Sequence, residues 1–146
     1  MPFPYKSLSL SVIETQKNIM GKFINPFTDY GFKKIFVQEV SKELLIEFLN
    51  DLLEGERVIT DLTFLNNEQL PIYPGERIAI YDIFCTTDTG EKIIVEMQNR
   101  SQVYFKERAL YYLSHAIVRQ GVKGESLKFD IKAVYGVFFI NFLLDE

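Results

Sequence analysis

The stretch IAIYDIFCTTDTGEKIIVEMQ, residues 78–98, decides the fold. Two apolar runs, 78–86 and 92–98, flank Asp88-Thr89-Gly90, a pattern that predicts a β-hairpin. A three-residue loop with a left-handed glycine is a common hairpin connection. It sets Thr87 opposite Glu91, and counting outward sets Asp82 opposite Glu96. Both carboxylates then leave the same face of the sheet, side by side. Like charges directly opposite one another destabilise a sheet, and a divalent cation is the natural compensation. Mg²⁺ takes oxygen ligands, commonly one or two carboxylates with waters and a substrate phosphate. Gln98 shares that face, two residues beyond Glu96. A two-residue Thr89-Gly90 turn would instead put Asp82 opposite Met97 and turn Glu96 away, so register decides whether a site exists. The competing structural reading exposes both acids on an edge or pairs them with Lys or Arg. An unpaired carboxylate within the apolar runs 80–84 and 93–97 is costly to bury.

Toward the N-terminus, residues 58–65 read as a further strand. The loop that follows Asn66-Asn67 is kept irregular by Pro71 and Pro74-Gly75. Before it lies a helix that starts at an N-cap Ser41 and ends with Gly55 at C′. Leu44, Leu45, Phe48, Leu49, Leu52 and Leu53 give it an apolar stripe, with Glu43, Glu47 and Asp51 on the wetter side. Thr28-Asp29 caps a short helical turn through Phe36.

Toward the C-terminus, residues 104–120 read as a helix closed by Gly121. Ala109, Leu113, Ala116, Ile117 and Gln120 lie along one side, and Arg108, Tyr112, His115 and Arg119 form a neighbouring polar stripe. A polar loop through Gly124-Glu125-Ser126 leads to a last strand over 131–140. The order is α-β-β-β-α-β, without repeats or low-complexity segments. Residues 1–22 lack periodicity and are expected to be a flexible leader. Met20 opens a run that itself reads like a protein start. Residues 23–146 form the expected core, which is read as C-terminally truncated because it stops just after an apolar segment.

The 146 residues suffice for one domain with a hydrophobic core. Aromatics at 14% and apolar residues at 47% argue against disorder. The one cysteine, Cys85, excludes an internal disulfide and a cysteine-rich zinc site, and fits the reducing cytoplasm. It alternates to the face opposite Asp82 and reads as core. No apolar run approaches the ~20 residues of a membrane span, and the N-terminus lacks a signal-peptide pattern. A net charge of −4 argues against a simple, tight DNA-binding module. It argues less against a nuclease, whose acidic site a metal neutralises.

Asp82, the Gly90 turn and Val95-Glu96-Met97-Gln98 resemble the D…(I/V)EMQ signature of the PD-(D/E)XK nuclease family transposases, also described as recombination-promoting nucleases. The run from Asn25-Pro26-Phe27-Thr28-Asp29-Tyr30-Gly31-Phe32 to Lys33-Lys34-Ile35-Phe36 is similar to that family's opening segment. Arg108-Ala109-Leu110-Tyr111-Tyr112 resembles the start of its second conserved helix. The resemblance covers residues 24–140, in the right order. It implies an α/β fold, a restriction-endonuclease-like core with a central mixed sheet flanked by helices. It also implies Mg²⁺-dependent (or Mn²⁺-dependent) cleavage of DNA, with Asp82 and Glu96 as metal-binding acids. Gln98 matches the position of the superfamily lysine. A glutamine offers only a neutral amide, so catalysis would lean more on the metal, or on Lys106 or Arg108.

Arg108 and Tyr112 are candidates to touch a phosphate or order a water; the plain alternative is a solvated helix face with a snorkelling arginine. Lys33 and Lys34 are candidates for the DNA backbone, against lysines that merely face water. His115, the only histidine, has no partner visible in sequence, and Glu47 reads as a surface acid. The expected function is a metal-dependent DNA endonuclease of the transposase or recombination-promoting type, with DNA as partner and a homo-oligomer compatible with it. The alternatives are a nuclease fold that binds DNA or protein without cutting, and a purely structural domain whose two acids lie on different faces.

Overall fold

The computed structural model describes residues 10–14, 28–36, 41–121 and 130–144. The chain runs β1 (Leu10–Glu14), α1 (Asp29–Phe36), α2 (Lys42–Leu52), β2 (Leu62–Phe64), β3 (Glu68–Gln69) and β4 (Ala79–Ile80). It continues with β5 (Ile83–Thr87), β6 (Lys92–Gln98), α3 (Phe105–Val118) and β7 (Val134–Ile140). Strands β1-β7-β6-β5-β2 form one mixed sheet, while β3 and β4 pair in a ribbon of their own. The β5–β6 and β2–β5 pairs are antiparallel, and β7 runs parallel to both β6 and β1. A parallel β6–β7 pair needs a crossover, and α3 supplies it.

Alternation along the strands sends side chains to two helical layers. On one face, Ile83, Cys85, Ile93, Val95, Met97, Val137 and Phe139 pack with Phe32 of α1 and with Leu45 and Leu49 of α2. On the other, Phe84, Ile94 and Val134 meet Tyr112, Leu113 and Ala116 of α3, while Phe138 and Ile140 meet Phe105 and Ala109. Gly136 lies where α3 crosses the sheet: a Cβ there would come within 2.8 Å of the Leu113 side chain. The fold is therefore α/β, with the mixed sheet between helices.

The cap expected for α1 forms, those expected for α2 at Ser41 and Gly55 do not, and several strand ends differ from expectation for visible reasons. The Gly31 amide donates to Thr28 Oγ1 at 2.9 Å, the cap expected for α1. Ser41 stands at the start of α2 but makes no side-chain cap bond. The strand expected over 58–65 shrinks to β2 because the Ile59 amide and carbonyl both bond the Asn50 side chain of α2. The strand expected over 131–140 begins only at Val134, since Gln120 takes both backbone groups of Lys132. The strand expected over 78–86 is two strands, parted by a bend at Tyr81-Asp82. β1 falls within the expected leader, whose lack of periodicity predicts no strand, and pairs there with β7. The start-like run at Met20 and the Gly124-Glu125-Ser126 loop lie outside the described residues. Among the described residues, no helix is long and apolar enough to cross a membrane.

Candidate metal site

The hairpin has the register that the three-residue loop requires. Gly90 takes φ +94°, the Thr87 amide donates to the Glu91 carbonyl at 2.9 Å, and Ile83 faces Val95. Extended by one residue, the same register brings Asp82 opposite Glu96. Asp82 stands just before β5, where the chain bends away, so the backbone ladder stops there. The two carboxylates replace it. The Asp82 amide donates to Glu96 Oε1 at 3.0 Å, and the Met97 amide donates to Asp82 Oδ2 at 2.9 Å. Each acid thus satisfies a main-chain donor that the ladder would otherwise have paired.

The two acids differ in exposure. Glu96 is 3% exposed, beneath α3, whereas the Asp82 side chain keeps 17%. Burial first, and then the neighbouring charge of Asp82, push the Glu96 carboxyl up to about 8. The Asp82 amide, Arg108 and the Gln98 side chain pull in the other direction and only partly offset this. Glu96 is therefore a buried acid without enough positive charge beside it.

Several expected residues gather around this pair. Lys33 Nζ lies 3.4 Å from Asp82 Oδ1, reaching it from α1. Gln98, half-buried, accepts a hydrogen bond from Gln102 Nε2 at 2.9 Å. Gln102 Oε1 accepts in turn from Arg108 at 2.6 Å, and Arg108 donates to the Tyr112 hydroxyl at 2.8 Å while lying over its ring. The polar stripe of α3 is thus not a plain solvated face: Tyr112 and His115 are buried. Lys34 turns to Tyr30, its Nζ 3.3 Å from the hydroxyl. Lys106 lines a groove of about 400 Å³ with Tyr104 and Phe142. Glu47 is exposed and Cys85 is core.

Two supporting residues had no signal in the sequence. Gln102 links Gln98 to Arg108, and Asn67 donates to the Asp82 carbonyl at 3.0 Å from a loop fifteen residues upstream. Both contacts depend on where loops return in space.

The donor set suits a hard divalent cation. Asp82 and Glu96 offer carboxylate oxygens, the type Mg²⁺ and Mn²⁺ prefer. Burial and the Asp82 charge both disfavour ionised Glu96, and a cation held between the two acids would offset that cost. Among the described residues, no group of three His, Cys, Asp or Glu converges. Waters and substrate oxygens would complete a coordination sphere, as is usual for Mg²⁺. A family model described as PD-(D/E)XK nuclease family transposase matches residues 26–146. No curated protein and no solved structure matches the chain.

Proposed function

The chain belongs to the PD-(D/E)XK nuclease family transposases, and from that premise we propose that it is a metal-dependent DNA endonuclease of the transposase or recombination-promoting type. One observation carries the reading: a buried, charge-deficient Glu96 set against Asp82 where the β5–β6 ladder breaks. A buried acid in a purely structural role is usually given a cation or hydrogen-bond donors; the nearest charge to Glu96 is instead another carboxylate. The catalytic core is assigned to residues 23–146.

A divalent cation held by Asp82 and Glu96, Mg²⁺ or Mn²⁺, would supply Lewis acidity at the scissile phosphate and lower the pKa of a bound water. The residues around it have separable roles. The Met97 amide and Lys33 orient the Asp82 carboxylate, and the Asp82 amide orients Glu96. Gln98 hydrogen-bonds a water or a phosphate oxygen but brings no charge. Arg108, steadied by Gln102 and Tyr112, brings the positive charge that Gln98 lacks and helps stabilise the developing phosphorane. Lys34 and Lys106 are assigned to backbone phosphates.

Gln98 also favours a second reading, a nuclease fold that binds DNA or protein without cutting it. Supercoiled-plasmid nicking separates the two. The endonuclease reading expects nicking that needs Mg²⁺ or Mn²⁺ and drops about a thousandfold in Asp82→Ala and Glu96→Ala, the loss of several kcal/mol of transition-state stabilisation. DNA binding by a wild type that never nicks, unaffected by Asp82→Ala, would establish the second.

A further inference from the structure

The segment between β2 and β5 leaves the main sheet, forms the β3–β4 ribbon and returns at Asp82. It buries little apolar surface of its own: Leu70, Ile72, Tyr73, Ile78 and Ile80 are all exposed. Ala79 and Tyr81, beside the bend, are its buried apolar anchors against α3, and its other ties to the body are polar. Glu76 Oε1 lies 2.5 Å from His115 Nε2 on α3, a close contact without hydrogen-bond alignment, and both side chains are under 8% exposed. Arg119 Nε donates to His115 Nδ1 at 3.2 Å, and its guanidinium also reaches the Leu70 carbonyl. Because Nδ1 accepts, the ring proton sits on Nε2, facing Glu76. The Ile72 amide bonds the same Glu76 carboxylate. That bond, against the opposing effect of burial and with help from His115, holds the Glu76 carboxyl below its ordinary value.

The other end of the segment grips the acid site. Asn67 donates to the Asp82 carbonyl and accepts from the Tyr81 amide, each at 3.0 Å. Glu68 and Gln69 pair with Ile80 and Ala79, immediately before the bend. The segment is thus a strut, with a buried polar clip on α3 at one end and the Asp82 bend at the other. Buried polar groups are costly unless they are paired, and a paired network of this kind rigidifies the elements that it joins.

We infer that Glu76, His115 and Arg119 are positioning residues, which clip this strut to α3 and thereby hold Asp82 where its carboxylate meets the Met97 amide. Only the consequence for cleavage rests on the nuclease reading above; the mechanical link does not. Amide hydrogen exchange on the full chain tests that link directly, comparing wild type with Glu76→Ala and Arg119→Met. The amides of Asp82 and Met97, which bond the two acid side chains, are expected to exchange about tenfold faster in both variants, while Val95 in the same strand keeps its rate. Glu76→Gln, which retains an acceptor for His115, is expected to restore most of the protection. In plasmid cleavage the same two variants should lose about tenfold in kcat with KM for DNA unchanged, the range typical of residues that orient a metal ligand.

Unchanged exchange at Asp82 and Met97 in Arg119→Met overturns the proposal, whatever happens to cleavage and even if Glu76→Ala fails to fold. Faster exchange at those two amides supports it, including in a protein that never cuts DNA; the latter result would remove the nuclease reading alone.

Discussion

Glu91 and Glu96 sit five residues apart at the two ends of one hairpin, and both are buried. Their surroundings send them in opposite directions. At the turn end, Arg57 lies 2.8 Å from Glu91 Oε1, and the Thr87 and Thr89 hydroxyls both donate to Oε2. Burial alone would raise the Glu91 carboxyl, but those two hydroxyls and the arginine hold it below its ordinary value. At the open end, Glu96 has an acid for a neighbour and is pushed up to about 8. One glutamate is a finished structural contact, and the other is a site left short of positive charge. Burial alone therefore does not single out a candidate site acid; burial without cationic partners does.

The largest effect that sharpens the contrast is pH dependence. Glu96 has a folded pKa above its unfolded one, so in the metal-free protein it holds a proton that the unfolded chain gives up. Its contribution to stability is complete below about 4.5 and is lost as pH rises through about 8. We expect a loss on the order of 4 kcal/mol across that window by urea unfolding, and a much flatter profile in Glu96→Gln. Glu91, with a depressed pKa, works oppositely: its contribution is present above its ordinary value and is lost as pH falls through the folded one. A profile that is flat for wild type between pH 5 and 8 would erase the distinction.

Breaking the finished end should cost slightly less. Arg57→Ala leaves Glu91 buried without its cation, and we expect a loss of about 3 kcal/mol at neutral pH in the same unfolding assay. The Glu96 titration should not move, because the two sites share no contact in the hairpin. Adding Mg²⁺ in large excess over its Kd at pH 7.5 should raise wild-type stability by about 2–3 kcal/mol. Glu96→Gln should gain far less, and a thermal-shift series in Mg²⁺ checks both. The smallest effect belongs to Thr89→Val, which removes one donor to Glu91 from an exposed turn residue. About 1 kcal/mol is expected, and a loss as large as that of Arg57→Ala would mean that the hydroxyls, not the arginine, hold the carboxylate.

The hairpin and its acid pair were legible in sequence because their geometry is local. Asp88-Thr89-Gly90 sets the register, and register sets which carboxylates meet. The leucine stripe of α2 and the alternation of β6 are local as well. The rest depends on returns from distant chain. Nothing in the periodicity of 58–65 reveals that Asn50 will take the Ile59 backbone. The apolar run 78–86 looks continuous, yet Asn67 holds it open at Tyr81-Asp82. His115 looked unpartnered because Glu76 lies 39 residues away on an irregular loop. Glu91 carries no signal either, since its partner Arg57 stands 34 residues upstream, between α2 and β2. Gln98 was visible as a neutral residue, but the Gln102–Arg108 chain that brings charge near it was not.

The most direct test of the central claim is the titration of the Glu96 carboxyl by ¹³C NMR, with and without Mg²⁺. The account predicts a midpoint near 8 in metal-free protein and a fall toward the ordinary carboxylate range at saturating Mg²⁺, in wild type but not in Asp82→Ala. A Glu96 midpoint that ignores Mg²⁺ would contradict it, and would leave the acid pair as a device for closing a broken ladder.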